Sequence, residues 1–89
     1  MERHLSFLLQ FPCPYFLKVL GKNTNELYAV VSTIIEKHSA EGDEVTYSAR
    51  VSSGGKYMSV TATFAAQSQE QLALIYEELN RHELVVMIL

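Results

Sequence analysis

Residues 44–65 read EVTYSARVSSGGKYMSVTATFA, and this stretch decides the fold. In its first half Val45, Tyr47, Ala49 and Val51 alternate with Thr46, Ser48 and Arg50. In its second half Met58, Val60, Ala62 and Phe64 alternate with Tyr57, Ser59, Thr61 and Thr63. Side chains of a strand point to opposite faces in turn, so period-two alternation marks two half-buried strands. Ser53, Gly54, Gly55 and Lys56 join them as a hairpin turn. One face of the resulting sheet is buried and the other is open.

Working outward, Ser68 followed by Gln71 fits a capping box that opens a helix reaching about His82. Leu72, Ile75, Tyr76 and Leu79 form its buried stripe, while Glu77, Glu78 and Arg81 are read as solvated. Leu84 to Leu89 is an unbroken apolar run that fits a final strand. Upstream of the hairpin, Asn23 and Thr24 are caps for a helix running to about His38. Its apolar positions Leu27, Val30, Val31 and Ile34, with His38, recur at helical spacing. Tyr15 to Leu20 reads as a first strand stopped by Gly21. Residues 1–14 form an amino-terminal arm, punctuated by Pro12 and Pro14.

Strand, helix, hairpin, helix, strand is the βαββαβ order of an α+β, ferredoxin-like sandwich. Right-handed crossovers put both helices on one face of a four-stranded antiparallel sheet, in spatial order 4-1-3-2. Residues 15–89 are thus one domain. At 89 residues there is room for one core, and 48% hydrophobic with 19% charged residues is globular composition.

Seven basic residues against ten acidic ones give a formal net charge of −3. Nucleic-acid affinity comes largely from Lys and Arg neutralising phosphates, so no nucleic-acid or anionic-membrane partner is expected. Cys13 is the single cysteine, which rules out an intrachain disulfide and any Cys-rich cluster. A reducing cytoplasm is the simplest setting. Leu5 to Leu9 is apolar behind Arg3 and His4, but the run is too short for a signal-peptide core. No segment reaches the ~20 apolar residues that span a bilayer.

FPCPYFLKVLG at 11–21, VSSGGKYMSV at 51–60, YEEL at 76–79 and VVMIL at 85–89 together resemble the YbeD-like proteins. These are small bacterial domains of unknown biochemical activity, and the resemblance spans nearly the whole chain. It implies a ferredoxin-like fold similar to the ACT-type regulatory domains, which bind amino acids and dimerise through their sheets. It also implies a link to lipoate metabolism, and no catalytic residues. An ACT domain places a glycine-bearing ligand loop after its first strand, a position that Gly21, Lys22 and Asn23 occupy here.

Other chemistries find little support in the residues. SSGGK at 52–56 has the composition of a phosphate cradle, but such loops rely on the donors of a following helix amino terminus. This one joins strand to strand, so its glycines serve a turn. His4, His38 and His82 have no ligand-like spacing to one another or to Cys13, and no metal or other cofactor is expected. His38 and His82 fall at helix carboxyl ends, where an imidazolium suits the dipole. Acylphosphatases share the topology and hold their substrate with an arginine in the loop after the first strand. Residues 20–25 read Leu, Gly, Lys, Asn, Thr, Asn, so catalysis is not expected.

The open sheet face remains. With Leu17 and Val19 inward, Phe16, Lys18 and Leu20 point out. Counting Val85, Met87 and Leu89 inward adds Val86 and Ile88 to the outer set, which Arg50 and Tyr57 complete. An apolar centre rimmed by polar groups marks an interaction site. The expected partner is a second copy or another protein, unless the arm folds over the face. Phe16 and Tyr57 also mimic the stacking aromatics of an RNA-recognition motif, which the acidic charge disfavours. A small-molecule ligand at Gly21, Lys22 and Asn23 is the alternative.

Overall fold

A computed structural model describes residues 10–89. The expectations about His4 and about the arm covering the sheet lie outside the described residues. The chain runs β1 (Cys13–Lys22), α1 (Asn25–Lys37), β2 (Thr46–Val51), β3 (Tyr57–Ala66), α2 (Gln69–Arg81) and β4 (Val85–Ile88). The sheet order is β2-β3-β1-β4, with every pairing antiparallel. This is the order expected from the βαββαβ pattern.

The alternation in β3 is complete, but in β2, at the sheet edge, only Tyr47 is partly buried, and Ala49 and Val51, expected inward, are exposed. Met58, Val60, Ala62, Phe64 and Ala66 are buried, while Tyr57, Ser59, Thr61, Thr63 and Ala65 are not. Directly paired residues of an antiparallel sheet share a face. The register Leu17↔Ala62 and Val19↔Val60 therefore puts Leu17 and Val19 in the core and leaves Phe16, Lys18 and Leu20 on the other side. Leu27, Val31, Ile34 and Ile35 of α1 and Leu72, Ile75 and Leu79 of α2 close that core. Ile35 was absent from the expected stripe. It is fully buried because α1 packs against the sheet and, beside it, against α2, and so hides a wider arc than one narrow seam.

Strand β1 is longer than the sequence suggested at both ends. Cys13 and Pro14, assigned to the arm, are its first residues and pair with Ala66 and Ala65. Pro14 is tolerated because β4 pairs with β1 only at Val19 to Gly21, so no neighbour needs a donor on its other side. Gly21 does not stop the strand, which continues through Lys22. A Cβ at Gly21 would lie 2.5 Å from the Leu84 carbonyl oxygen and 2.7 Å from Cδ1 of Leu27. Glycine is there because α1 and the entry to β4 close directly over that backbone.

The helix ends are tied to each other. Ser68 Oγ accepts from the Gln71 amide at 3.0 Å, as the capping box requires. The Gln71 side chain, however, reaches past the cap: its Oε1 accepts from the Gln67 amide at 2.7 Å and its Nε2 donates to the His38 carbonyl at 2.7 Å. Gln71 is thereby a buried polar residue with its partners supplied. Thr24 caps α1 by backbone position only, and its Oγ1 is buried without a partner among the described residues. Glu78 is not a freely solvated acid. It receives Lys37 Nζ at 3.0 Å and faces His38 Nε2 at 2.7 Å, which joins α2 to the end of α1. Glu77 pairs with Arg81 at 2.9 Å along the helix surface.

Strand β4 carries the main correction. Gly21 pairs with Val85 and Leu20 with Met87, so Val86 is the extra residue of a bulge. The bulge shifts the phase of alternation. Val85 and Ile88 pack against the core, whereas Val86 and Met87 are about half exposed and Leu89 more so. Ile88 pairs with the buried Val19 and therefore leaves the set of open-face residues; Met87, not Ile88, stands beside Leu20.

Candidate functional site

The open face is built in rows across the strands. Arg50, Ser59, Leu20 and Met87 form one row, and Ser48, Thr61 and Lys18 the next. Thr46, Thr63 and Phe16 form a third row, and Tyr57 pairs with Lys22 beyond the first. Leu89 extends the second row, its amide donating to the Lys18 carbonyl at 2.8 Å. Pairing places five of the seven residues expected on this surface there, Phe16, Lys18, Leu20, Arg50 and Tyr57, while Val86 is exposed in the bulge without a cross-strand partner. Met87, Leu89 and Lys22 join them.

The face has two halves. On the β1–β4 side Phe16 is 69% exposed at one end, Leu20, Val86, Met87 and Leu89 lie toward the other, and Lys18 stands between Phe16 and Leu20. Among the described residues Phe16 is the most exposed of the large hydrophobic residues, although it lies on a central strand. On the β2–β3 side the surface is made of hydroxyls, with Arg50 at one end. A shallow depression between the halves is lined by Leu20, Arg50, Ser59 and Tyr57.

The alternative loop is engaged differently. The Lys22 amide donates to the Leu84 carbonyl, and the Asn23 amide donates to the Lys56 carbonyl. The Asn23 side-chain nitrogen donates to the Gly55 carbonyl at 2.8 Å. Gly21 is buried in the strand, so Gly21, Lys22 and Asn23 fasten the end of β1 to β4 and to the hairpin tip. The tip itself is a turn: the Gly55 amide donates to the Ser52 carbonyl, and Gly55 has φ +77°.

Titratable groups elsewhere have structural occupations. The Tyr47 hydroxyl donates to Glu36 Oε2 at 2.8 Å, and its pKa is raised well above the usual phenol range by burial and then by that carboxylate. Tyr76 is raised likewise, by burial and by the Tyr15 hydroxyl 2.9 Å away. His82 Nδ1 accepts from the Leu84 amide at 3.2 Å and caps the end of α2. Among the described residues no group of three or more His, Cys, Asp or Glu side chains is placed to hold a metal ion. No helix among them is long and apolar enough to cross a membrane.

Comparison with known proteins agrees with the architecture. Residues 7–89 match the family described as "Protein of unknown function (DUF493)". A UPF0250 protein of Sodalis glossinidius is 42% identical, with 100% of both chains covered. The UPF0250 protein YbeD of Escherichia coli is 39% identical, again over 100% of both. Among solved structures, the H. pylori protein HP0495 superposes with TM-score 0.71 at 15% identity, covering 91% of this chain and 85% of that one. The ACT domain from the GTP pyrophosphokinase of Chlorobium tepidum gives TM-score 0.67 at 10% identity, covering 88% and 96%. The chain is therefore a member of the DUF493 family, the YbeD-like proteins of unknown function, with a ferredoxin-like fold that ACT domains share.

Proposed function

We propose that the protein is a non-enzymatic regulatory or protein-interaction module that works through its open sheet face in the cytoplasm. The observation that carries this reading is Phe16, 69% exposed on a central strand and on the same open face as Met87 and Leu89. Burying these exposed apolar side chains against a partner removes them from water at about 25 cal/mol per Å². The partner is a second copy of the chain or another protein. Native mass by light scattering, on the purified protein and in cell extract, tests the reading. The wild type is expected at a mass above one chain in at least one of the two, and Phe16→Ser at the monomer mass with an unchanged Tm. A wild type that stays monomeric in both contradicts it.

A second reading is an ACT-like sensor of an amino acid or other metabolite, favoured by the likeness to a GTP pyrophosphokinase ACT domain. Its ligand would lie near Gly21, Lys22 and Asn23, where the backbone donors of Lys22 and Asn23 are already engaged. A thermal-shift screen of amino acids and lipoate-related metabolites tests it, and a Tm unmoved by every compound counts against it.

A further inference from the structure

The charges of this acidic protein are sorted by layer. No Asp or Glu lies in any of the four strands. The described acids sit on the helices (Glu26, Glu36, Glu70, Glu77 and Glu78) or in the connections between elements. Strand-borne cations show the opposite distribution. Lys18 pairs with Thr61, Lys22 with Tyr57 and Arg50 with Ser59, and all three partners lie opposite the core, so all three cations share the open face. The helix cations are already paired, Lys37 with Glu78 and Arg81 with Glu77. Lys18, Lys22 and Arg50 pair with no acidic side chain among the described residues.

We infer that the open sheet face docks an acidic amphipathic segment of another protein, its carboxylates against Lys18, Lys22 and Arg50 and its apolar side chains against Phe16, Leu20 and Met87. This inference rests on the interaction reading above and names the chemistry of the partner. Complementary potentials steer encounter and reject like-charged surfaces. A second copy docked face to face about a twofold axis would set the same three cations against one another. A second copy presenting its acidic helices instead would make a head-to-tail contact, which no twofold dimer satisfies and which ends only in a ring or runs on as a filament. Single-stranded nucleic acid needs a tract of cations and flat stacking surfaces. Phe16 and Tyr57 offer rings on this face, but the cations there are only Lys18, Lys22 and Arg50, too few for a phosphate tract, and Leu20, Met87 and Leu89 beside them suit protein side chains.

The experiment is site-specific photo-crosslinking of the full-length protein in its own cells. A benzophenone amino acid replaces Thr61, which lies between Ser48 and Lys18 on the open face, or exposed Asn80 on α2 as the control. Position 61 is expected to give an adduct that position 80 does not, and the crosslinked partner peptide is expected to be rich in Asp and Glu. In the Lys18→Glu, Arg50→Glu double variant the adduct should fall about tenfold or more, whereas Lys18→Arg with Arg50→Lys should retain it. Thermal unfolding of each variant checks that the fold is intact. An adduct that Phe16→Ser abolishes but charge reversal leaves unchanged overturns the acidic partner and keeps the interaction face. An adduct to nucleic acid, to the same chain or to a segment without acidic residues also overturns the inference. No adduct from position 61 overturns both readings.

Discussion

Nε2 of His38 lies 2.7 Å from one carboxylate oxygen of Glu78, and Lys37 Nζ lies 3.0 Å from the other. The two basic groups come from the end of α1 and the acid from α2, so one carboxylate joins the helices. Hydrogen bonds from His38 and then Lys37 hold the Glu78 carboxyl below its ordinary value of 4.5. A carboxyl whose pKa is lower in the folded than in the unfolded state stabilises the fold above the unfolded value. That contribution is lost as pH falls through the folded value. The Tm difference between wild type and Glu78→Gln should therefore be largest above pH 4.5 and shrink as the solution is acidified. Thermal melts from pH 7 to pH 2.5 check this; a difference that grows on acidification contradicts it.

Gly21→Ala is expected to destabilise by about 1–3 kcal/mol, the usual cost of overpacking a close-packed site. The added Cβ would meet the backbone oxygen of Leu84 at 2.5 Å, which cannot swing away as a side-chain end can. Urea denaturation measures the change, and Gly54→Ala, with open space around its Cβ position, serves as the neutral comparison.

Gln71→Ala should cost about 1–3 kcal/mol, because it strips partners from the Gln67 amide and the His38 carbonyl together. Ser68→Ala removes only the cap bond to the Gln71 amide and should cost about 1 kcal/mol. The larger loss is predicted at Gln71, the residue that links both helices, and equilibrium unfolding of the two variants compares them directly.

Much of this was legible in the residues. The hairpin declared its register and, in β3, its buried face: Met58 to Phe64 and Tyr57 to Thr63 fall as their alternation requires, whereas in the edge strand β2 only Tyr47 is partly buried and Ala49 and Val51 are exposed. The capping residues Ser68 and Gln71 marked the start of α2 directly. Strand β4 was not legible in the same way. Val85 to Ile88 are all apolar, so period two supplies no phase, and a bulge at Val86 sets the face each side chain takes. The role of Glu78 was hidden for another reason: Lys37 and His38 lie about forty positions away in the chain and meet it only when the helices pack. The sorting of charge was present in the sequence as four strands free of Asp and Glu, but a net charge of −3 conceals a cationic face.

The division between the two sheet faces also predicts how neighbours in the chain respond to truncation. Leu17→Ala removes a fully buried side chain and should cost about 2–5 kcal/mol. Phe16→Ala, one residue earlier and 69% exposed, should change stability by no more than about 0.5 kcal/mol. Equilibrium unfolding in urea separates the two.

The most direct check is side-chain NMR with a soluble paramagnetic probe, applied to the purified protein at a concentration where it is monomeric. The Phe16 ring protons should broaden as strongly as those of Tyr57, while the Leu17 and Val19 methyls stay sharp. A Phe16 ring as protected as Leu17 would mean that the chain covers its own sheet, and the interaction face would not exist.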